Sequence, residues 1–204
     1  MGEGKPGVGW DVDVGKVTGW VEVIVRDKNG KVKYAVGLSP EKLKKLEGNG
    51  GGDCYEPTPP VTSSMPGKDI DVHYWRKNIV TNVGLAAIVR LIGAGLTENK
   101  FSHVAIGTGT TAESATDTAL VAEVKRKSAT VSQVTTTITG DTVLFEATFS
   151  SADTLSGSHN ISEAGVFNAS TGGILLARKV FSAVPVNWDA GDQLTIRYYV
   201  QMTR

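Results

Sequence analysis

The chain has 204 residues, and 21 Lys and Arg face 21 Asp and Glu, so its formal net charge at neutral pH is zero. That balance argues against nucleic acid as the partner, because neutralising phosphates takes a basic excess. Apolar residues at 40% argue against wholesale disorder, and a single cysteine, Cys54, excludes an intrachain disulfide framework.

In chain order, residues 1–19 alternate Gly with Val, Trp and Asp and show no helical period. They read as an extended arm. So Gly-rich a segment buries little of its own apolar surface, so Trp10, Val12 and Val14 call for cover from a neighbour. Residues 1–6 are polar and lack the apolar core of a secretory signal, and the expectation is a chain made in the cytosol. The longest apolar stretch, 83–96, is too short and too Gly-interrupted to span a bilayer.

Residues 20–25 and 31–36 form two alternating runs around Asp27-Lys-Asn-Gly30, a turn whose Asn29 and Gly30 tolerate positive φ. This is a β-hairpin, and Trp20 at its start joins Trp10, Val12 and Val14 as a candidate partner contact. A lone hairpin is barely stable and must pack on something. Ser39 and Pro40 suit the start of a short helix that Gly48 ends. Gly48–Gly52 and Pro57–Pro60 then make a break. The expected organisation is an arm, hairpin and short helix over 1–47, a Gly/Pro-rich linker over 48–69, and a β-sandwich over 70–204.

A second helix is predicted from Asn82 to Ile92, with Leu85, Ile88, Val89 and Ile92 on one apolar face, expected to be the packed one. From Phe101 onward the chain reads as strands at 101–106, 127–139, 142–150, 161–167, 174–181 and 194–202, with a two-residue turn at Gly140-Asp141 and another at Gly172-Gly173. In the 142–150 strand, Val143, Phe145, Ala147 and Phe149 share the face expected to be buried. Many strands after one helix, without βαβ alternation, give a mainly β protein: an antiparallel β-sandwich with one packed helix.

Candidate chemistry is thin. Gly107-Thr-Gly109 follows a strand, but no helix opens after it and no Lys follows, so it reads as a tight loop rather than a phosphate site. His73, His103 and His159 have no metal-ligand spacing and read as structural. Glu123, Glu146 and Glu163 could pair as glycosidase carboxylates, yet nothing selects them, and a solvated strand face is their default. No constellation of catalytic roles assembles, so the chain reads as non-enzymatic, with no metal and no cofactor.

Five segments in order resemble the collar domain of tail fibres from contractile-tailed bacteriophages. They are Thr81-Asn-Val-Gly-Leu-Ala-Ala; Phe101-Ser-His-Val-Ala-Ile-Gly-Thr-Gly; Asp117-Thr-Ala-Leu-Val-Ala-Glu-Val-Lys-Arg; Ile161-Ser-Glu-Ala-Gly-Val-Phe-Asn, followed by Ile174-Leu-Leu-Ala-Arg; and Gly191-Asp-Gln-Leu-Thr-Ile. The resemblance covers about residues 78–204 and implies a virion structural protein of tail, collar or fibre-attachment type. Its implied partners are other virion proteins and further copies of itself, with assembly in the host cytoplasm. In that family a shaft and receptor-binding tip follow the domain, whereas this sequence stops at Arg204. A capsid decoration protein is the first alternative. A carbohydrate-binding module is the second, with Trp188 and the Tyr198-Tyr199 pair as candidate exposed aromatics for a host glycan, although alternation points one of the two tyrosines inward. Neither a membrane nor a nucleic acid is expected as partner.

Overall fold

The computed structural model describes residues 16–38, 78–93 and 99–203. Residues 1–15 of the expected arm, with Trp10, Val12 and Val14, the short helix after Ser39, the linker and Cys54 lie outside the described residues, whereas residues 16–19 of that arm belong to a strand of the sandwich rather than to an arm.

Ten strands and one helix follow in order: β1 (Lys16–Arg26), β2 (Val32–Val36), β3 (Ile79–Val80), α1 (Asn82–Ile92), β4 (His103–Gly107), β5 (Glu123–Ser128), β6 (Thr130–Val134), β7 (Thr142–Phe149), β8 (Ser158–Phe167), β9 (Leu175–Asn187) and β10 (Gln193–Thr203). They form two five-stranded antiparallel sheets, A in the order β2-β1-β10-β7-β6 and B in the order β3-β9-β8-β4-β5. The protein is an antiparallel β-sandwich with one packed helix. The long expected strand over 127–139 is broken at Ala129, where the chain leaves β5 at one edge of sheet B and enters β6 at one edge of sheet A.

Alternation drives the packing. Phe145, Ala147 and Phe149 of β7 are buried in the main core, as the strand pattern predicts, whereas Val143 on the same face is 36% exposed. Val21, Val23 and Val25 of β1, Ile196 and Tyr198 of β10, and Val104, Ile106 and Val166 of sheet B complete it. Burying a side chain of this size contributes about 1.5–3 kcal/mol.

The hairpin is not a separately packed unit. β1 pairs with β10 along its whole length, from Lys16↔Thr203 to Arg26↔Gln193. Val23 and Val25 therefore enter the same core as the C-terminal strands. The instability of a lone hairpin is relieved by joining a sheet, and a boundary between this hairpin and residues 70–204 does not describe the packing.

Three further expectations change. The β6–β7 connection is a loop over residues 135–141 rather than a two-residue turn. Asp141 organises it, accepting from the backbone N–H groups of Thr136, Thr137 and Ile138 at 2.9–3.0 Å. Trp188 and Tyr198 are buried to the last few percent and Tyr199 is buried as well, so none is an exposed aromatic platform. Trp188 Nε1 donates to His159 Nδ1 at 3.0 Å, while burial pushes the Tyr198 hydroxyl pKa well above its ordinary value.

The helix has the expected bounds but packs by another face. Gly84 and Ala87 are its buried residues, whereas Leu85, Val89 and Ile92 are exposed, Ile92 by 78%. The cause is a close approach. A Cβ on Gly84 would lie 2.8 Å from Leu176 Cα, so only glycine lets the helix backbone settle on β9 there. Thr81 fixes the approach. Its N–H donates to Leu176 O at 2.9 Å, its hydroxyl donates to Leu175 O at 2.5 Å, and the same oxygen accepts from Gly84 N–H at 3.0 Å as the N-cap. Gly84, Ala87 and the partly buried Ile88 make the contact, and Leu85, Val89 and Ile92 are left outside.

Candidate functional site

The most concentrated polar chemistry among the described residues lies under the loop over 108–122. Glu163 on β8 and Arg178 on β9 both have no solvent exposure, and Arg178 Nε donates to Glu163 Oε2 at 2.8 Å. The guanidinium also reaches Asp117 Oδ2 at 3.0 Å and the Thr111 carbonyl at 2.9 Å. The Glu163 carboxylate accepts from Gly109 N–H at 3.1 Å, Val121 N–H at 3.1 Å and Ala122 N–H at 2.7 Å. Asp117 in turn accepts from Ser114 N–H at 2.9 Å, which closes a short turn.

Each buried charge is thus paired and hydrogen-bonded, which is what makes its burial tolerable. Burial alone would lower the Arg178 pKa. The hydrogen bonds to Glu163 and Asp117 outweigh it and leave that pKa raised, so the guanidinium stays charged. Space is tight. A Cβ on Gly107 or Gly109 would come within 2.6 Å or 2.5 Å of Glu163 Oε1, so both positions take glycine to let the carboxylate reach the loop backbone. Leu120 lies over Ala105, Phe167 and Leu175 in a separate apolar cluster, and a Cβ on Gly165 would crowd it at 2.9 Å.

The arrangement is a clamp. Glu163 and Arg178 have no solvent exposure, Asp117 is partly exposed, and their oxygens and nitrogens are bonded to one another and to the loop backbone. A solvated strand face, the expectation for Glu163, is overturned. Glu123 stands across Gly107 from Glu163 and is paired to Arg126 at 2.7 Å, while Glu146 lies in sheet A, paired to Arg197. Among the described residues no cluster of three His, Cys, Asp or Glu could hold a metal ion, and no helix is long and apolar enough to cross a membrane.

Of the candidate partner contacts, only Trp20 is described. It is half-buried and stacks on Tyr199 across the β1–β10 register, with ring centroids 4.6 Å apart and planes within 9°. One face of the indole is therefore covered by its own chain. Beside it, burial pushes the Tyr199 hydroxyl up to about 12, with the neighbouring Glu22 carboxylate adding to the rise.

Sequence reasoning missed the Glu163–Arg178 pair as such. The signal was present: Glu163 in Ile161-Ser-Glu-Ala-Gly-Val-Phe and Arg178 after Leu175-Leu-Ala set opposite charges within apolar stretches of two strands. It also missed the surface of α1. Val83, Leu85, Val89, Leu91 and Ile92 are all exposed, and Leu85, Val89 and Ile92 form one stripe at helical spacing. Compared with family models, curated proteins and solved structures, the chain matches none of them.

Proposed function

We propose that the chain is a non-enzymatic structural component of a tailed-virus particle, of the tail, collar or fibre-attachment type, whose work is to bind other proteins of the particle. The observation that carries the assembly role is the outward stripe Leu85, Val89 and Ile92 on a helix that packs by Gly84, Ala87 and Ile88. Water disfavours a contiguous apolar stripe, and such surfaces mark sites covered by a partner protein. The occupant in this reading is another structural protein of the same particle. The resemblance in sequence supplies the viral context, and the meeting of four of its five segments around Arg178 and on β9 supports reading them as one unit.

The test is incorporation. Leu85→Glu with Val89→Glu should leave the thermal melt of the free protein unchanged and reduce its amount in purified particles, counted by mass spectrometry. A variant incorporated at the wild-type level would sink the reading. The same count separates attachment from capsid decoration. A few to a few dozen copies at the tail fit attachment, and hundreds on the head fit decoration.

A further inference from the structure

Each sheet of a sandwich has two edges, and an edge strand is a template for another strand unless something spoils it. Three of the four edges here are spoiled. β2 meets a register shift at Val25/Arg26 and carries Lys33, which is tied to Asp192 at 2.6 Å. β3 is only two residues long. β5 reads Glu-Val-Lys-Arg-Lys-Ser, charged at most positions, with a register shift opposite Ile106/Gly107.

β6 is different. Thr130-Val-Ser-Gln-Val134 has no charge and no proline, runs in unbroken register with β7, and lies at the end of sheet A. Its side chains from Thr130 to Gln133 are exposed on both faces. Beside it, Val131, Ile138 and Val143 are exposed by 46%, 44% and 36%. Among the described residues nothing caps this uncharged, β-branched edge, and apolar side chains lie around it.

We infer that β6 pairs antiparallel with β6 of a second copy of this chain, about a two-fold axis at Ser132, so that sheet A continues from one copy into the next. Self-pairing fits because an antiparallel strand is its own complement. With Ser132 on the axis, each Val131 faces a Gln133 and each Thr130 faces a Val134. No like charges meet, and like charges directly opposite are what would oppose such a pair. The neighbouring edge β5 comes to the same side through the crossover at Ala129, and its Arg126 and Lys127 are already paired with Glu123 and Asp153. The chain's net charge of zero adds no long-range repulsion between copies. The pairing satisfies backbone groups at the edge and brings cover to Val131 and Val143. This inference stands apart from the viral reading and survives its failure.

The experiment is sedimentation velocity on the full chain across the micromolar range. Wild-type protein should be a dimer. Ser132→Lys places two ammonium groups face to face on the axis and should raise the dimer dissociation constant about tenfold or more. Val121→Lys, which alters an exposed side chain in the loop before β5, should leave the dimer as it is. Circular dichroism should show both variants folded. In a Cys54→Ser background, Ser132→Cys should form a disulfide-linked dimer under mild oxidation. A monomer throughout the range, a trimer or larger ring, or a dimer that Ser132→Lys does not weaken overturns the inference. If Ser132→Lys proves unfolded, absence of the Ser132→Cys cross-link overturns it.

Discussion

Glu163 and Arg178, on adjacent strands of sheet B, hold each other at 2.8 Å with neither side chain exposed to solvent, and together they tie down the loop over 108–122. The pair is what makes that loop part of the fold.

Removing one partner leaves the other charged and uncompensated. Arg178→Met should therefore destabilise the protein by about 3–5 kcal/mol. Glu163→Leu with Arg178→Met should cost less than the sum of the two single changes, because the cost is mostly the orphaned charge. Urea denaturation of the four proteins gives the coupling directly. Additive losses would show that the two side chains act independently.

Phe145 lies in the main core and pairs with Tyr198 across β7 and β10. Phe145→Ala should cost about 3–5 kcal/mol. Val143→Ala on the same face, where the side chain is 36% exposed, should cost less than about 1.5 kcal/mol. Thermal melts that rank the two the other way would reverse the assigned core.

Gly84→Ala is informative because two effects oppose. Alanine favours a helix over glycine by about 1 kcal/mol. The added Cβ, however, meets the Leu176 backbone, and backbone cannot swing aside. The net change should be destabilising by about 1–3 kcal/mol, the usual cost of overpacking. Stabilisation on chemical denaturation would mean that α1 does not lie against β9 in solution.

Asp141 gives a pH dependence. Burial alone would raise its pKa, but donors from Ile138, Gln201, Thr136 and Thr137 hold it far below its ordinary value of 3.8. A folded pKa below the unfolded one stabilises above the unfolded value and is lost as pH falls through the folded one. The stability gap between wild type and Asp141→Asn should thus be full at neutral pH, begin to narrow below pH 3.8, and close in stronger acid. Denaturant midpoints over that range test it. A gap that stays constant into strong acid would exclude the carboxylate as its source.

The sequence by itself determined what depends on near neighbours. Alternation along 142–149 identified the face of Phe145 and Phe149, because adjacent side chains of a strand point opposite ways whatever lies opposite. The 3.6 period and the residues at its ends set α1 at Asn82–Ile92. The run of strands without helices between them gave an antiparallel sandwich. What lies far apart in the chain was left to the tertiary structure. The hairpin's place beside β10 joins Lys16 to Thr203, and backbone hydrogen bonds of that kind carry no side-chain code. The Glu163 carboxylate is buried because the backbone of residues 109–122 folds onto it, a fact its own strand does not contain. The helix shows the same limit most plainly. Periodicity found an apolar face at Leu85, Ile88, Val89 and Ile92, but packing is decided by how near two backbones can come, and with Gly84 against Leu176 only Ile88 of that face reaches the core while the other three point outward.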